Sequence, residues 1–332
     1  MSKRALITGI AGQDGSYLAE LLLAKGYDVY GMVRRSGYPN HSNIAGILSD
    51  ITLLDGDMID QSSLIAVLQK SQPDEIYNLA AQSHVGVSFT QPHVTAQATG
   101  IGVLRLLEAM RLVGAGGMRL YQASTSELYG NSLTSPQNEE TPFAPRSPYA
   151  TAKLYAHHMV KNYREAYGLF ACCGILYNHE SPRRGLDFVT RKITHSIARI
   201  KAGLQDHLEL GNMHAQRDWG YAPDYVEAMW LMLQQPHPKE YVIATGCMHS
   251  VSEFLVRALL AADLPFDDDL LQITEEHERP ADVAKLCGDA SLARNELGWF
   301  PRTSFDELVT MMVESDLYAT TYTEPKTRLV AD

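Results

Sequence analysis

Short apolar runs rich in strand-forming residues alternate with helical patterns through the first half of this 332-residue chain, and no other feature limits its fold as strongly. Neighbouring parallel strands cannot be joined by a tight turn. They need a crossover, and a helix is the usual one. Strands are expected over 4–8, 28–34, 51–55, 75–80, 119–123 and 170–177, with helical patterns over 16–25, 62–70 and 94–113 between them. Gly26 stands where the first helix must end, because glycine enters the left-handed region without penalty. The best-framed helix runs from Pro148 to Tyr167, with Ser147 able to cap it and Gly168 able to close it. After Asn178 the alternation loosens. Helices are expected over 188–202, 224–235, 252–262, 291–298 and 304–318, with short strands at 208–211 and 241–245. Loops are expected over 36–43 and 130–146, and fraying over 323–332.

No apolar run approaches the ~20 residues that a membrane span requires, and Met1-Ser2-Lys3-Arg4 leads directly into a strand pattern rather than a signal peptide. A soluble, cytoplasmic protein is expected. The net charge of −11 argues against nucleic acid and anionic membrane as partners. It leaves room for a small anion held by a local basic cluster. The four cysteines form no CxxC and lie at no zinc spacing from histidine, so reduced, mostly buried thiols and no metal site are expected.

Thr8-Gly9-Ile10-Ala11-Gly12-Gln13-Asp14-Gly15 follows the first strand and opens the first helix. A GxxGxxG in that context lets backbone N–H groups approach a pyrophosphate at a helix N-terminus, which reads as a dinucleotide site. The second strand ends in Val33-Arg34-Arg35-Ser36, without the acid that would hold a ribose 2′-hydroxyl. Two guanidiniums suit a 2′-phosphate, so NADP is favoured over NAD; the alternative is a solvated basic turn. Asp57 either accepts from an adenine amino group or caps the helix before Gln61.

Tyr149 and Lys153 lie four apart on the capped helix and share one face. An ammonium beside a phenol is expected to lower its pKa and make Tyr149 a base for a substrate hydroxyl. The strand ending at Ala123 delivers Ser124-Thr125-Ser126-Glu127 to the crevice at its C-terminal tip. Alcohol oxidation alone does not need a carboxylate there, whereas abstraction of a proton α to a carbonyl does. A loop or capping acid is the alternative for Glu127.

Residues 9–18 (GIAGQDGSYL), 78–85 (NLAAQSHV), 124–130 (STSELYG) and 147–156 (SPYATAKLYA) together resemble the GDP-mannose 4,6-dehydratase family of extended short-chain dehydrogenase/reductases. Residues 178–185 (NHESPRRG), 188–193 (FVTRKI) and 217–234 (RDWGYAPDYVEAMWLMLQ) carry the resemblance beyond the nucleotide-binding half. It implies a doubly wound, Rossmann-type parallel sheet with a smaller mixed α/β C-terminal domain. Residues 1–177, with returns near 213–246, would bind NADP, and 178–212 with 247–332 would bind the nucleotide sugar. The implied catalytic set is Thr125, Glu127, Tyr149 and Lys153. The implied cofactor contacts are Gly9, Gly12, Gln13, Asp14, Gly15, Arg34, Arg35, Asp57, Met58, Leu79, Ala81, Tyr149, Lys153, His179 and Arg184. Ser83, Glu127, Asn178, Lys192, Arg217, Arg279 and Asp282 are the implied contacts to GDP-mannose.

The chain departs from the family in three places. The stretch 36–43 differs from the loop that in the family reaches a neighbouring subunit's cofactor, so homodimer and homotetramer both stay open. Asp282 replaces a glutamate, and His214 and Gln216 replace an expected Asp and Lys. A GDP-heptose dehydratase, a 4-epimerase, a 4-reductase and a silent NADP-binding sensor are the alternatives. An ordinary ion pair is the alternative for Arg217 and Asp218.

Overall fold

The computed structural model describes residues 2–114, 116–274, 281, 283 and 285–322. The first half runs β1 (Arg4–Thr8), α1 (Gln13–Ala24), β2 (Asp28–Val33), β3 (Ile51–Asp55), α2 (Gln61–Ser71), β4 (Glu75–Asn78), α3 (Val85–Thr90), α4 (Pro92–Thr95) and α5 (Gly102–Val113). It continues with β5 (Arg119–Thr125), α6 (Pro148–Tyr167) and β6 (Phe170–Leu176). Then come β7 (Asn178–Glu180), α7 (Val189–Lys201), β8 (Leu208–Leu210), β9 (Gln216–Arg217), β10 (Trp219–Tyr221), α8 (Ala222–Gln234) and β11 (Glu240–Ile243). The rest comprises β12 (His249–Ser250), α9 (Val251–Ala261), β13 (Leu271–Ile273), β14 (Lys285–Leu286), α10 (Ser291–Leu297) and α11 (Phe305–Tyr322).

Seven strands form one parallel sheet in the order β11-β6-β5-β4-β1-β2-β3. The order reverses at β1, and the strand tips on either side of such a reversal open a crevice for a ligand. Side chains alternate between the two faces. Leu6, Ile76, Leu120 and Ala171 pack with residues of α2, α5 and α6, while Ala5, Ile7, Tyr77, Tyr121 and Cys172 pack with residues of α1 and α8. A third apolar cluster lies outside the sheet and joins α7, α9 and α11 through Ile193, Ile197, Phe254, Leu308 and Met312.

While α3 and the short strands β7, β9, β10, β12, β13 and β14 match no expected element, each strand and helix expected from the sequence is found to within a few residues, apart from 94–113. There α4 ends at Thr95, residues Ala96–Ile101 form a π-helical turn, and α5 begins at Gly102. Two glycines mark the place. A Cβ on Gly100 would lie 3.2 Å from the Ala152 carbonyl of α6, and one on Gly102 would lie 2.9 Å from the Met58 Cβ. The widened turn carries the chain past these two close approaches. The expected fraying over 323–332 lies outside the described residues.

The four cysteines are free thiols; Cys172, Cys173 and Cys287 are buried and Cys247 is exposed. No helix among the described residues is long and apolar enough to cross a membrane.

Candidate active site

The glycine loop between β1 and α1 is shaped by backbone contact. Gly9 has φ +72°, and a Cβ there would lie 3.1 Å from the backbone of Ala80 in the loop after β4. A Cβ on Gly15 would lie 2.4 Å from the Gly9 carbonyl oxygen. That carbonyl accepts from Gly12 N–H at 3.0 Å, closing the turn. Gly12 is the N-cap of α1 and supplies no side-chain acceptor to the first turn. The first-turn N–H groups and the helix dipole thus suit an anion, and the pyrophosphate of a dinucleotide fits this cradle.

Leu79 and Ala81 flank the loop across β4. Thr8 Oγ1 accepts from the N–H groups of Leu79 and Ala80, both at 3.1 Å, and donates to Asn78 Oδ1 at 2.6 Å. Asn78 passes this bonding to Gln122 at 2.7 Å, so a polar rung joins the tips of β1, β4 and β5. Arg34 and Arg35 follow β2 and are exposed. Asp57 and buried Met58 follow β3. Asp60, not Asp57, caps α2, accepting from Ser62 N–H at 3.0 Å, while Asp57 accepts from Ile59 N–H. The capping alternative for Asp57 therefore fails, because the cap sits three residues further on.

Helix α6 has the frame expected of it. Ser147 Oγ accepts from Ala150 N–H at 3.0 Å, Pro148 opens the first turn, and Gly168 closes the end at φ +67°. Tyr149 and Lys153 are both buried on it. Thr125 and Glu127 are buried at the tip of β5, where Thr125 Oγ1 accepts from Glu127 N–H at 3.3 Å. Tyr149 hydrogen-bonds to Thr125 and feels the charge of Glu127, so the four residues share one site. Lys153 Nζ donates to the Ala123 carbonyl at 2.8 Å and stands 5.9 Å from the Tyr149 ring centroid. Burial pushes the Lys153 ammonium down to about 8.

The expected lowering of the Tyr149 phenol is not found. Burial pushes it well above its ordinary value, and Glu127 and Asp14 add to the rise. The largest opposing effects are the Thr125 hydrogen bond and the Arg184 charge. Lys153 is itself desolvated and turned toward Ala123, which explains its weak influence on the phenol.

Gln13 and Asp14 reach across to the segment after β6. Gln13 Nε2 donates to the His179 carbonyl at 3.0 Å, and Gln13 Oε1 accepts from Ser181 Oγ at 2.8 Å. Asp14 Oδ2 lies 2.8 Å from His179 Nε2. Burial works against charge on both, yet His179 holds Asp14 below the usual carboxylate range and Asp14 raises His179 above the usual imidazole value. Arg184 stacks 3.5 Å from the Phe188 ring and pairs with Glu180 at 3.1 Å. Sequence reasoning placed Gln13 and Asp14 in the nucleotide loop but missed this contact, since no local spacing links residue 14 to residue 179.

Asn178 begins β7 and pairs with Trp219 of β10. Lys192 on α7 is half-buried and held below its ordinary value by burial, Arg217 is buried on β9, and Ser83 is exposed before α3. Asp218 is no ordinary ion-pair partner for Arg217. Its carboxylate accepts from the N–H groups of Thr245, Gly246 and Gly288 at 2.9, 2.9 and 3.2 Å, and from Thr245 Oγ1 at 2.6 Å. Arg279 and Asp282 lie outside the described residues.

A doubly wound sheet, a glycine loop under its reversal point and a Tyr–Lys pair on the following long helix define an extended short-chain dehydrogenase/reductase. The family model described as GDP-mannose 4,6 dehydratase matches residues 6–312. The chain belongs to that family. It is 53% identical over 326 residues to GDP-mannose 4,6 dehydratase 1 of Arabidopsis thaliana, covering 95% of this chain and 90% of the other. It is 49% identical over 338 residues to the human GDP-mannose 4,6 dehydratase, covering 94% and 91%. Among solved structures, UDP-glucose 4-epimerase of Thermus thermophilus in complex with NAD superposes with a TM-score of 0.82 at 26% identity, covering 94% of this chain and 98% of that one. The dTDP-glucose 4,6-dehydratase DesIV of Streptomyces venezuelae has a TM-score of 0.86 at 24% identity over 97% of this chain and 99% of its own. It shares the fold.

Proposed function

We propose that this protein converts GDP-D-mannose to GDP-4-keto-6-deoxy-D-mannose as an NADP-dependent hydro-lyase. The observation that carries this reading is the burial of Thr125 and Glu127 in the same site as Tyr149 and Lys153. Oxidation and reduction at C4 alone would leave Glu127 without work. Relatives across plants, animals and bacteria that bear the same name support the substrate.

The glycine loop and the first turn of α1 hold the pyrophosphate, Arg34 and Arg35 take the 2′-phosphate, and Asp57, Met58, Leu79 and Ala81 border the adenine and ribose. When bound, NADP⁺ supplies the acceptor for the C4 hydride and later returns that hydride to C6. Tyr149 takes the C4 hydroxyl proton, with Thr125 hydrogen-bonded to it and the Lys153 ammonium close to the ring. Burial keeps the phenol protonated at rest, so Tyr149 accepts the C4 proton as the phenolate, after its own proton has passed to solvent. The resulting 4-ketone acidifies C5–H. Glu127 removes that proton and gives one to the departing C6 hydroxyl, so that water leaves. Asn178, Lys192, Arg217, Arg279 and Asp282 hold the nucleotide, and Ser83 borders the sugar. The enzyme acts in the cytoplasm as a homo-oligomer, and the exposed Val94, Leu112, Tyr155 and Tyr167 near α4, α5 and α6 offer an apolar face for assembly.

Incubation with GDP-mannose should yield a product lighter by one water in mass spectrometry, and deuterium placed at C4 should arrive at C6. In Glu127→Gln, C4 oxidation should survive while water loss collapses, leaving bound NADPH and a 4-keto sugar that still carries its C6 hydroxyl. Label retained at C4, or efficient turnover of dTDP-glucose, would remove this assignment.

A further inference from the structure

The His179 ring has an acceptor at each nitrogen. Nδ1 lies 2.7 Å from the Tyr177 carbonyl oxygen, and Nε2 lies 2.8 Å from Asp14 Oδ2. A carbonyl can only accept, and so can an ionised carboxylate. A neutral imidazole has one N–H and could satisfy one of them. The ring also stacks on Tyr225 of α8, with centroids 4.6 Å apart and planes at 23°, so it is held in this orientation. The other Asp14 oxygen accepts from Gln13 Nε2 at 3.1 Å, so both carboxylate oxygens are committed within the protein.

We propose that Asp14 and His179 form a permanent carboxylate–imidazolium pair that joins the cofactor loop to the segment after β6 and cancels the Asp14 charge at the Tyr149 site. Asp14 is then a positioning residue that acts through His179, not a cofactor ligand through its side chain. The joint is broad, which supports this. Gln13 bonds to both His179 and Ser181, while Arg183 donates to Ser16 Oγ at 3.0 Å and Glu20 Oε1 at 2.7 Å and lies 4.0 Å from the Tyr17 ring. The first two turns of α1 are thereby fastened to residues 179–183.

The charged and titratable groups around the pair are few. His179 faces Asp14 from α1, Arg184 from its own segment and Tyr225 from α8. Glu180 is engaged by Thr190 Oγ1 at 2.6 Å and by Arg184. On α6, Tyr149 and Lys153 both feel the Asp14 carboxylate, which disfavours the phenolate and favours the ammonium, and on β5 the buried Tyr121 feels it too and is held further from ionising. Without its imidazolium partner, Asp14 would oppose proton loss from Tyr149 at full strength. This second effect rests on the reading of Tyr149 as the base. The charge state of the pair does not.

Two measurements separate them. In the NADP-loaded enzyme with ¹⁵N-labelled histidine, the His179 ring, assigned by its loss in His179→Gln, should show both nitrogens protonated at pH 8. In Asp14→Asn it should be neutral, because the introduced side-chain amide can donate to Nε2. A neutral His179 in the unmutated enzyme would overturn the pair whether or not any substrate turns over. The pH dependence of kcat tests the electrostatic effect. His179→Gln leaves Asp14 uncompensated and should move the acid limb upward by about one pH unit, the size of shift that one nearby charge produces. Asp14→Asn combined with His179→Gln should bring the limb back to its original place. A merely structural joint would lower kcat in the double variant further and leave the limb where it was, and that result would refute the proposal.

Discussion

Gly15→Ala tests whether the third glycine exists to let two backbone segments touch. Its Cβ would fall 2.4 Å from the Gly9 oxygen, 2.6 Å from the Ile10 Cα and 2.9 Å from the Ile10 carbonyl carbon. Carbon contacts are favourable at about 3.5–4.0 Å, so the loop must retreat by about 1 Å. None of these atoms can rotate aside as a side chain would. Overpacking of this kind costs about 1–3 kcal/mol, and the better helix propensity of alanine returns at most about 1 kcal/mol. The folded state should lose about 1–2 kcal/mol, a fall of a few degrees in Tm. The larger effect falls on the cofactor. The Gly9 carbonyl closes the turn through Gly12 N–H, so its retreat spoils the cradle. Losing one charge-assisted bond of about 1.5–3 kcal/mol weakens NADP⁺ by about ten- to a hundredfold. Calorimetric titration of NADP⁺ measures this directly. Gly203→Ala is the control, with φ +68° and nothing within 4 Å, and should cost about 1–2 kcal/mol of stability with no change in Kd. An unchanged Kd in Gly15→Ala would refute the account of the loop.

Replacing Arg34 and Arg35 together by alanine should erase most of a preference for NADP⁺ over NAD⁺ of about tenfold or more; equal affinities in the unmutated protein would place both arginines in a solvated turn. The folded pKa of Lys153, about 8, lies below its ordinary 10.5. The unfolded chain therefore binds more of this proton between those values, and its contribution to stability rises with pH across that window. Lys153→Met should abolish turnover, exceed the native protein in stability at pH 7, and lose that advantage as pH climbs from 8 toward 10.5 in chemical-denaturation series. Burial pushes the thiols of Cys172, Cys173 and Cys287 upward, while Cys247 is exposed, so a thiol reagent should find one fast group in the native protein and four after denaturation.

The sheet could be read from the chain because buried parallel strands write themselves as short, nearly continuous apolar runs, and α6 because its cap, proline and closing glycine are adjacent to the helix they bound. Local spacing also sufficed to pair Tyr149 with Lys153 and to set the glycines before α1. What escaped reading depends on distance along the chain. The contact of Asp14 with His179, the hold of Asp218 on the two segments at 245–246 and 288 and the rung from Thr8 to Gln122 each join residues whose separation carries no period. The error over the Tyr149 pKa has the same root. Spacing shows which charge is near, but the degree of burial decides the sign, and burial is a property of the folded whole. The π-helical turn escaped for another reason: Gly100 and Gly102 look like weak helix residues until the backbone of α6 and Met58 are seen beside them.

The sheet closes with a strand that arrives late. β11, residues Glu240–Ile243, pairs with β6, and α8 covers α1, although both follow the excursion that begins at β7. On a ribosome the chain therefore exposes one flank of its nucleotide-binding half until about residue 243 has emerged. Asp218 waits longer still, because one of its donors is Gly288. A chain stopped between those points would carry a complete glycine loop and Tyr–Lys helix over a buried carboxylate short of a partner. Neither half of the sequence can be cut away as a separate folding unit, and truncations meant to isolate the cofactor domain should yield protein that a protease digests readily.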